Sequence, residues 1–371
     1  MRRALLLALL AAALLPATAR SAPPRVGGAA FIVQDARTGE VLASSRAHAR
    51  LPIASITKLM TVRVALQHHK LTDVIQVDPR AAAVGESTIG LRGGESLTVR
   101  DLVEAALIQS ANDAADALAL SVSPSFTAFA GLMNAEAAKL GLRDTHFVRP
   151  DGLDAPGHVS SAADVTRLAR VLMRTRFVRE TVRRQTAPIA GGRTLHTWDD
   201  LLSLFPQTIG VKTGHTSLAG WCQVAAARGR GVTVYATLLG APTRADRNAD
   251  LSSLLIWGLA QFRVVPAVQA GRVYSTAATG YGKAPLDLVA ARPLLSVARL
   301  GRPLTETVIA ARSVSLPVHR GDVLGRVEIR RGSRLVGTRA LVASRTINKP
   351  GLVGRVGWTA GRTLHHLGNL F

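Results

Sequence analysis

Residues 51–66 read LPIASITKLMTVRVAL, and the rest of the chain is interpreted from this stretch. The apolar residues that follow Ser55 predict a buried helix that begins close to that serine. Lys58 is three positions later, so its amine lies one helical turn away, on the same side as the Ser55 hydroxyl. The start of a helix also presents free backbone N–H groups and the positive end of the helix dipole. A serine beside a lysine that can lose its proton is a candidate nucleophile.

A structural explanation of the same residues is a helix cap, because serine is a favoured capping residue and Ser-x-x-Lys also occurs by chance. The basic residues of this chain are mostly arginine, and lysine occurs only at positions 58, 70, 139, 212, 283 and 349. Arginine stays protonated in proteins, whereas a buried lysine can act as a base. The scarcity of lysine therefore favours a chemical role for Lys58.

The composition is that of a folded protein with room for two domains. The 371 residues include 47% hydrophobic and 19% charged side chains, which excludes a disordered chain. The formal net charge of +22 predicts an anionic partner or surface, and nucleic acid is the usual partner of so basic a chain. Cys222 is the single cysteine, so an internal disulfide is excluded, and its apolar neighbours favour a place in the core.

The N-terminus has the layout of a secretory signal peptide, which we assign to residues 1–22. Two arginines precede an apolar run at residues 4–15, and small residues beyond it allow cleavage after Ala19 or Ala22. The alternative is a membrane anchor, but the run is shorter than the ~20 residues that a membrane span needs. An exported protein meets anionic lipid or cell-wall polymer, so we expect no nucleic acid partner.

Residues 23–263 have a pattern that predicts one antiparallel sheet with an inserted helical block. Strands are predicted at 29–34, 40–43, 210–214, 220–227 and 231–239. Helices are predicted at 97–110, 111–122, 126–140, 162–174 and 246–262. The fold class is therefore α/β of the α+β kind, with helices flanking a sheet that both ends of the segment build.

The remaining residues predict a second, smaller domain and a tail. Residues 264–347 contain short alternating segments separated by turns, which is typical of an all-β sandwich. Residues 348–371 repeat apolar side chains at spacings of three and four, which predicts an amphipathic helix that lies on an anionic membrane surface. A helix packed on the β-domain is the alternative for this tail.

Two further motifs follow Ser55 and Lys58 along the chain. Ser110 and Asn112 place a second hydroxyl and an amide at the end of a predicted helix, and Lys212-Thr213-Gly214 places a second lysine on a predicted strand. Each motif alone is weak, since the first is usually a cap and the second a strand end. In the order Ser-x-x-Lys, Ser-x-Asn, Lys-Thr-Gly, they are a strong signal for a serine acyl-transfer enzyme.

With these motifs the chain resembles the penicillin-binding proteins, and more closely the low-molecular-mass D-alanyl-D-alanine carboxypeptidases with a C-terminal β-domain. The resemblance extends over nearly all of the mature chain and includes residues 140–142, 145–147, 152–154 and 212–216. Three features depart from it: Ala111 stands where close relatives have glycine, Asp151 stands where some relatives have histidine, and residues 191–210 match poorly.

The resemblance implies a role for each residue of the motifs. Ser55 would attack the carbonyl between two terminal D-alanines, and Lys58 would take its proton. Ser110 would pass a proton to the leaving D-alanine. Four further residues would bind the substrate or tune the site: Asn112 would hold an amide, Thr213 and Arg247 the terminal carboxylate, and Lys212 would keep Lys58 able to lose its proton. The backbone N–H groups of Ser55 and His215 would form the oxyanion hole.

The resemblance also implies the partners and the location. Peptidoglycan stem peptides would be the substrates and β-lactam antibiotics covalent inhibitors, on the periplasmic side of the bacterial cytoplasmic membrane. We expect no cofactor and no metal ion.

Three alternatives remain open. A serine β-lactamase would share the nucleophile, although the sequence has no Glu-x-x-Leu-Asn segment and the β-domain is foreign to that family. A peptidoglycan D,D-endopeptidase would share the whole scaffold. A non-catalytic protein that binds wall or membrane through its basic domain would not need the three motifs.

Overall fold

The computed structural model describes residues 9–11, 22–281 and 283–351. The chain divides into two compact units, of which the larger is Ser21–Gln261 and the smaller combines Phe262–Phe371 with Met1–Arg20. The predicted tail lies outside the described residues from position 352 onward. The predicted signal peptide also lies outside them, except for Ala22 and a short strand, β1 (Leu9–Ala11), which pairs with a strand of the smaller unit.

The described part of the larger unit contains nine strands: β2 (Ala30–Asp35), β3 (Val41–Ser45), β4 (Val74–Gln76), β5 (Ser96–Thr98), β6 (Thr186–Ile189), β7 (Arg193–His196), β8 (Thr208–Thr216), β9 (Gly220–Gly229) and β10 (Val232–Ala241). Five of them form an antiparallel sheet in the order β3-β2-β10-β9-β8. The first two strands of the unit are therefore joined to its last three, which confirms the predicted sheet built from both ends.

Nine helices are found among the described residues of the same unit: α1 (Lys58–His68), α2 (Pro79–Ala82), α3 (Val99–Glu104), α4 (Asn112–Val122), α5 (Phe126–Leu140), α6 (Ala162–Leu172), α7 (Arg176–Thr181), α8 (Leu201–Leu204) and α9 (Arg244–Ala260). A 3₁₀ turn (Ala54–Thr57) leads into α1, and a π turn (Ala105–Gln109) follows α3. A capping box is present at the start of α3, where Thr98 and Asp101 each accept from the other's backbone N–H group.

Helices cover both faces of the five-stranded sheet. Thr237 of β10 is hydrogen-bonded to Thr166 of α6. Val234, three residues earlier and thus on the opposite face, lies against Gly258 of α9. The apolar core runs from β2 through α1, α4 and α6, and it buries most of the first two turns of α1 and the first two turns of α4. The central position of α1 in this core fixes the residues just before it.

The smaller unit is all-β in its described part, as predicted. Besides β1 it contains β11 (Phe262–Val268), β12 (Val273–Thr279), β13 (Leu286–Ala290), β14 (Leu294–Arg299), β15 (Thr305–Ala310), β16 (Ser313–Val314), β17 (Val323–Arg331) and β18 (Arg334–Ala343). Seven of these described strands form one sheet, in the order β1-β15-β17-β18-β13-β12-β16, and β11 pairs with β14 in a second. Val268 of β11 shares an apolar cluster with Val327 of β17, so side chains of the two sheets meet in one core.

The structure contains elements that the sequence pattern did not predict. The pairs β4–β5 and β6–β7 are only three and four residues per strand, too short to show a period of two. Among residues 9–11, 22–281 and 283–351, no single helix is long and apolar enough to cross a membrane, although α4 and α5, bent by 86° at their junction, pass that test as a pair.

Candidate active site

Ser55 lies in the 3₁₀ turn Ala54–Thr57, which leads directly into α1. The Thr57 hydroxyl closes this turn by donating to the carbonyl oxygen three residues earlier, at 2.8 Å. The buried imidazole of His158 lies against the same hydroxyl, with Nε2 2.7 Å from Thr57 Oγ1. Because the Val148 N–H donates to Nδ1 of His158 at 3.0 Å, the ring proton is assigned to Nε2, which donates to Thr57. Side-chain hydrogen bonds therefore hold the turn that carries Ser55.

Lys58 is the first residue of α1 and is fully buried beside Ser55. Its Nζ lies 2.8 Å from Ser55 Oγ, 2.6 Å from Asn112 Oδ1 and 2.6 Å from the Asp151 carbonyl oxygen. These three acceptors match the three N–H bonds of the ammonium form. In the neutral amine, two N–H bonds suffice for Asn112 and Asp151, and the lone pair is left for the Ser55 hydroxyl.

Burial lowers the pKa of Lys58 to about 8, although the carboxylates of Asp151 and Asp116 raise it. At pH 7 roughly a tenth of the molecules then hold a neutral amine. The sequence analysis attributed the lowered pKa of Lys58 to the charge of Lys212. In the structure the largest cause of the lowered pKa is desolvation of Lys58 by burial. Asp116 is itself buried, and desolvation together with the charge of Asp151 raises the pKa of its carboxyl well above the ordinary range.

Ser110 and Asn112 are placed by the π turn that ends α3. The turn inserts an extra residue, and Ser110 adopts the left-handed conformation with φ +64°. Asn112 then begins α4, where its Oδ1 accepts from Lys58 and its Nδ2 donates to the Gly85 carbonyl oxygen at 3.1 Å. The sequence predicted only a helix end here. The π turn is the reason that both polar side chains of the motif reach one cleft.

The third motif lies on β8, one of the two edge strands of the five-stranded sheet. A Cβ on Gly214 would lie 2.9 Å from the Ile53 carbonyl oxygen and 3.0 Å from the Ser55 nitrogen. Only glycine therefore lets β8 approach the turn that carries Ser55, which we call the nucleophile turn (Ala54–Thr57), so closely. Lys212 is buried and donates to the Thr213 carbonyl oxygen at 3.0 Å. Burial, followed by the charge of Lys58, lowers the pKa of Lys212 well below its ordinary value.

Arg247, in the first turn of α9, lines another part of the cleft although its side chain is almost fully buried. Its Nη2 donates to Asn248 Oδ1 at 2.7 Å and to Asp200 Oδ2 at 3.1 Å. Asp200 also accepts two hydrogen bonds from Arg244, at 2.5 and 2.7 Å. One carboxylate thus holds two guanidinium groups, and the guanidinium of Arg247 lies 5.5 Å from the centre of the Trp221 ring.

These elements surround a cleft of about 210 Å³. Six of the predicted site residues line it: Ser55, Ser110, Asn112, Thr213, His215 and Arg247. The two predicted lysines, Lys58 and Lys212, are buried next to lining residues and are not part of the wall. All eight predicted residues therefore belong to one site of the larger unit.

Sequence reasoning missed several residues of this site. The cleft is also lined by Glu86, Ser87, Leu153, Trp198 and Trp221. Asp116 could have been found, since it follows Asn112 by four positions on a helix otherwise rich in buried alanine. Trp198 and Asp200 fall in the stretch that matches the family poorly and offers no sequence signal.

Two smaller predictions concern metals and the cysteine. Among the described residues, no group of three or more His, Cys, Asp or Glu side chains is arranged to hold a metal ion. Cys222 is buried in β9, where its thiol donates to the Ala219 carbonyl oxygen and burial raises its pKa to about 12. A thiol with that pKa is unreactive at neutral pH.

Comparison with known proteins agrees with this geometry. The profile of the D-alanyl-D-alanine carboxypeptidase family, peptidase family S11, matches residues 17–243. D-alanyl-D-alanine carboxypeptidase DacC of Escherichia coli (strain K12) is 31% identical over 364 residues, which cover 90% of this chain and 87% of that protein. DacF of Bacillus subtilis (strain 168) is 27% identical over 329 residues, 85% of either chain.

Solved structures give the same result. Penicillin-binding protein 5 of Haemophilus influenzae has a TM-score of 0.65 and 25% identity, covering 89% of this chain and 100% of that one. Penicillin-binding protein 6B of Escherichia coli has a TM-score of 0.65 and 27% identity, covering 87% and 97%. The family profile matches more than half of the chain, and with these relatives it shows that the protein belongs to the D-alanyl-D-alanine carboxypeptidase family.

Proposed function

We propose that the chain is a serine-type D-alanyl-D-alanine carboxypeptidase that removes the terminal D-alanine from peptidoglycan stem pentapeptides through an acyl-enzyme on Ser55. The observation that carries this proposal is the 2.8 Å contact between Lys58 Nζ and Ser55 Oγ in a cleft that all three motifs build. The reaction is an acyl transfer in two steps, with water as the final acceptor.

In the first step neutral Lys58 removes the Ser55 hydroxyl proton while Oγ bonds to the carbonyl carbon between the two D-alanines. Asn112 and the Asp151 carbonyl oxygen hold the amine in place, since both accept from Nζ at 2.6 Å. The negative charge that develops on the carbonyl oxygen faces the backbone N–H groups of Ser55 and His215. These two groups lie on adjoining elements because Gly214 permits the close approach of β8.

The tetrahedral intermediate collapses when the C–N bond breaks. The proton that Lys58 took from Ser55 passes through Ser110 to the leaving amine, which returns Lys58 to the neutral form. D-alanine departs, and the rest of the stem peptide remains as an ester on Ser55. Water then attacks the ester carbonyl and gives a proton to the Lys58 amine. The C–O bond to Ser55 breaks, and Lys58 passes the proton to Ser55 Oγ, which restores the serine hydroxyl. A β-lactam undergoes the first step only. When its ring opens, the leaving amine stays covalently attached to the acyl group and remains in the cleft, so the acyl-enzyme on Ser55 persists as a label.

The substrate is oriented by the cationic part of the cleft. The terminal carboxylate of the stem peptide pairs with Thr213 and Arg247, both of which line the cleft. Asp200 and Asn248 hold the Arg247 guanidinium before substrate arrives, which lowers the entropic cost of binding. A peptide amidated at its C-terminus is therefore a poor substrate.

We also propose that the protein is exported and works at the periplasmic face of the cytoplasmic membrane. The basic, apolar and small-residue layout of residues 1–22 supports export, and the apolar pattern of residues 348–371 supports peripheral attachment. Its substrates are found in the same compartment.

The decisive experiment incubates the purified protein with a pentapeptide that ends in D-Ala-D-Ala and identifies the products by mass spectrometry. We expect free D-alanine and a tetrapeptide, and penicillin should label the peptide that contains Ser55. A Ser55→Ala variant should do neither. D-alanine release by Ser55→Ala at the wild-type rate would disprove the proposal, and rapid repeated turnover of penicillin would indicate a β-lactamase instead.

A further inference from the structure

Glu86 is a charged residue of the cleft to which the proposed mechanism gives no task. It lines the cleft together with Ser110 and Asn112, and it is exposed to solvent. Among the described residues, no hydrogen bond or ion pair engages its carboxylate. A carboxylate on the wall of a substrate cleft, with no partner of its own in the described part of the chain, is available to a cationic ligand.

The backbone holds Glu86 firmly in an unusual conformation. Its φ is +64°, a left-handed value that residues other than glycine and asparagine rarely adopt. The two carbonyl oxygens that flank it both accept from Asn112: Ser87 O from the backbone N–H at 2.6 Å, and Gly85 O from Nδ2 at 3.1 Å. The strained residue is thus clamped by a residue that also contacts Lys58, and backbone strain of this kind clusters at functional sites.

The charges around Glu86 differ from those at Arg247. Arg149 is the neighbouring cation whose pKa the Glu86 charge raises, yet Arg149 already forms two hydrogen bonds to Asp151, at 2.5 and 2.6 Å. Those two charges offset each other, so Glu86 adds negative charge to its wall of the cleft. Arg247, on α9, lines the same cleft with a positive charge, so the cleft offers both signs of charge to a ligand that has a carboxylate and an amine.

We infer that Glu86 binds the protonated side-chain amine of the diamino acid that precedes D-Ala-D-Ala in a stem peptide. This inference rests on the proposed function and adds a specificity-determining residue to it. With the terminal carboxylate at Arg247, the residue on the acyl side of the scissile bond extends away from that guanidinium, and its flexible amine pairs with Glu86, which lines the same cleft beside Asn112. A stem whose amine is already used in a cross-link lacks this contact, so Glu86 favours uncross-linked stems.

The test compares two tripeptides, Nα-acetyl-L-Lys-D-Ala-D-Ala with a free side-chain amine and its Nα,Nε-diacetyl form. The readout is the ratio of kcat/KM for the free-amine peptide to kcat/KM for the diacetyl peptide. We expect about a fivefold ratio in the wild type, the size of one solvent-accessible ion pair. Glu86→Gln should bring the ratio close to one, and Glu86→Lys should bring it below one. Glu180→Gln, which removes an exposed carboxylate of α7, is the matched control and should keep the wild-type ratio.

Each outcome bears on a separate claim. A wild-type ratio near one, or a ratio that survives in Glu86→Gln, overturns the inference while leaving the carboxypeptidase intact. Equal losses for both peptides in Glu86→Gln also overturn it, since they show that Glu86 only shapes its loop. If the wild type releases D-alanine from neither peptide, the proposed function fails and the inference fails with it. Penicillin labelling of each variant checks that the nucleophile site is formed.

Discussion

At the scale of single residues, the chemistry depends on whether Lys58 can exist as a neutral amine. The side chain is surrounded by three acceptors and is fully buried, and desolvation lowers its pKa to about 8. The nearby carboxylates of Asp151 and Asp116 act in the opposite direction, which keeps the amine from losing its proton entirely. The balance leaves an amine that titrates near pH 8, which suits the general-base role that we propose for Lys58.

Lys58→Arg keeps the positive charge and removes the base, because arginine stays protonated. We expect acylation to slow by about 10²- to 10⁴-fold, the usual contribution of a general base. The rate of covalent labelling by a fluorescent penicillin measures it, and a thermal melt checks the fold. Lys139→Arg, on an exposed side chain of α5, is the matched control. Labelling of Lys58→Arg at the wild-type rate would contradict the role of Lys58.

Asp116 should set the pH at which Lys58 titrates. Its Oδ1 is buried without a hydrogen-bond partner among the described residues, and burial raises the pKa of its carboxyl to about 8. Asp116 therefore ionises over the same pH range as Lys58, and its ionised form favours the ammonium form of Lys58. Asp116→Asn removes that charge, so the pKa of Lys58 should fall further. The acylation rate of the wild type should rise with pH to a plateau above about 8, and the rising limb should move to lower pH in the variant. Asp73→Asn, an exposed carboxylate, is the control, and an unchanged or upward-shifted curve would refute the prediction.

At the scale of secondary-structure elements, the site is the meeting point of one turn and one strand. The 3₁₀ turn carries Ser55, and β8 carries the third motif. Gly214 is the point of closest approach, since a Cβ on this residue would lie 3.0 Å from the Ser55 nitrogen. Gly152, with φ +85°, approaches the same turn from the other direction, and a Cβ there would lie 2.3 Å from the Ala54 carbonyl oxygen. Two glycines thus let separate segments close around the nucleophile.

Gly214→Ala should push β8 away from Ser55 without unfolding the sheet. A misplacement of about 1 Å in catalytic geometry can cost ~10²-fold in rate, and we expect a loss of that order in kcat/KM for D-alanine release. Gly131→Ala is the control, since a Cβ at Gly131 of α5 meets nothing within 4 Å and an alanine favours the helix. If Gly214→Ala retained wild-type activity, close approach of β8 would not be needed for the oxyanion hole.

His158 should make the nucleophile turn sensitive to acid. Burial lowers the pKa of His158 to about 4 from its ordinary value of 6.5, so the unfolded chain takes up a proton at a higher pH than the folded chain. Stability is then lost as the pH falls from 6.5 toward 4, by on the order of 3 kcal/mol for this group.

Urea unfolding at about pH 7 and about pH 4.5 tests this, by comparing wild type with His158→Asn. The variant should be less stable than the wild type at the higher pH, because Thr57 and Val148 lose a partner. It should lose less stability on acidification. His68→Gln, an exposed histidine of α1, should behave like the wild type. The same acid loss in His158→Asn and wild type would mean that other groups titrate.

At the scale of the whole molecule, the positive charge is unevenly distributed along the chain. Residues 272–371 carry 16 basic and 4 acidic side chains, a net charge of +12 out of +22. The cleft with its mixed charges belongs to the larger unit, whereas this basic portion falls in the smaller one. This distribution supports the proposal that the larger unit carries the reaction and that the basic portion attaches to an anionic surface.

Deletion of residues 351–371 should release the protein from membranes. The apolar spacing of this tail predicts an interfacial helix, and its removal also takes away two arginines. Sedimentation of wild type and deletion variant with anionic vesicles measures the effect, and D-alanine release from a soluble peptide should be unchanged. A tail of the same composition in scrambled order is the control, since it keeps the charge and loses the apolar face. Unchanged sedimentation of the deletion variant would end the tail hypothesis.

The main elements of the larger unit follow from the sequence because their apolar patterns are long. The sequence predicts the helix at Phe126–Leu140 and the strand pair around residues 220–241 within a few residues of their observed bounds. The three-residue strands β4 and β5 pair across a gap of about twenty residues, and no local pattern encodes that pairing. The π turn before Ser110 is missed for a related reason, since its strained end is stabilised by contacts from distant segments.

The sequence by itself determined the class of chemistry of this protein, because the order and spacing of its three motifs can be read directly along the chain. The motif residues are Ser55, Lys58, Ser110, Asn112 and Lys212. Tertiary structure alone decided how that chemistry is tuned. Three features depend on residues that are far apart in the chain. They are the burial of Lys58, the carboxylates near it, and the hydrogen bonds from Asn112 to the carbonyl groups on either side of Glu86. Burial and electrostatic interactions depend on distance in space, and for these residues only the folded chain sets those distances.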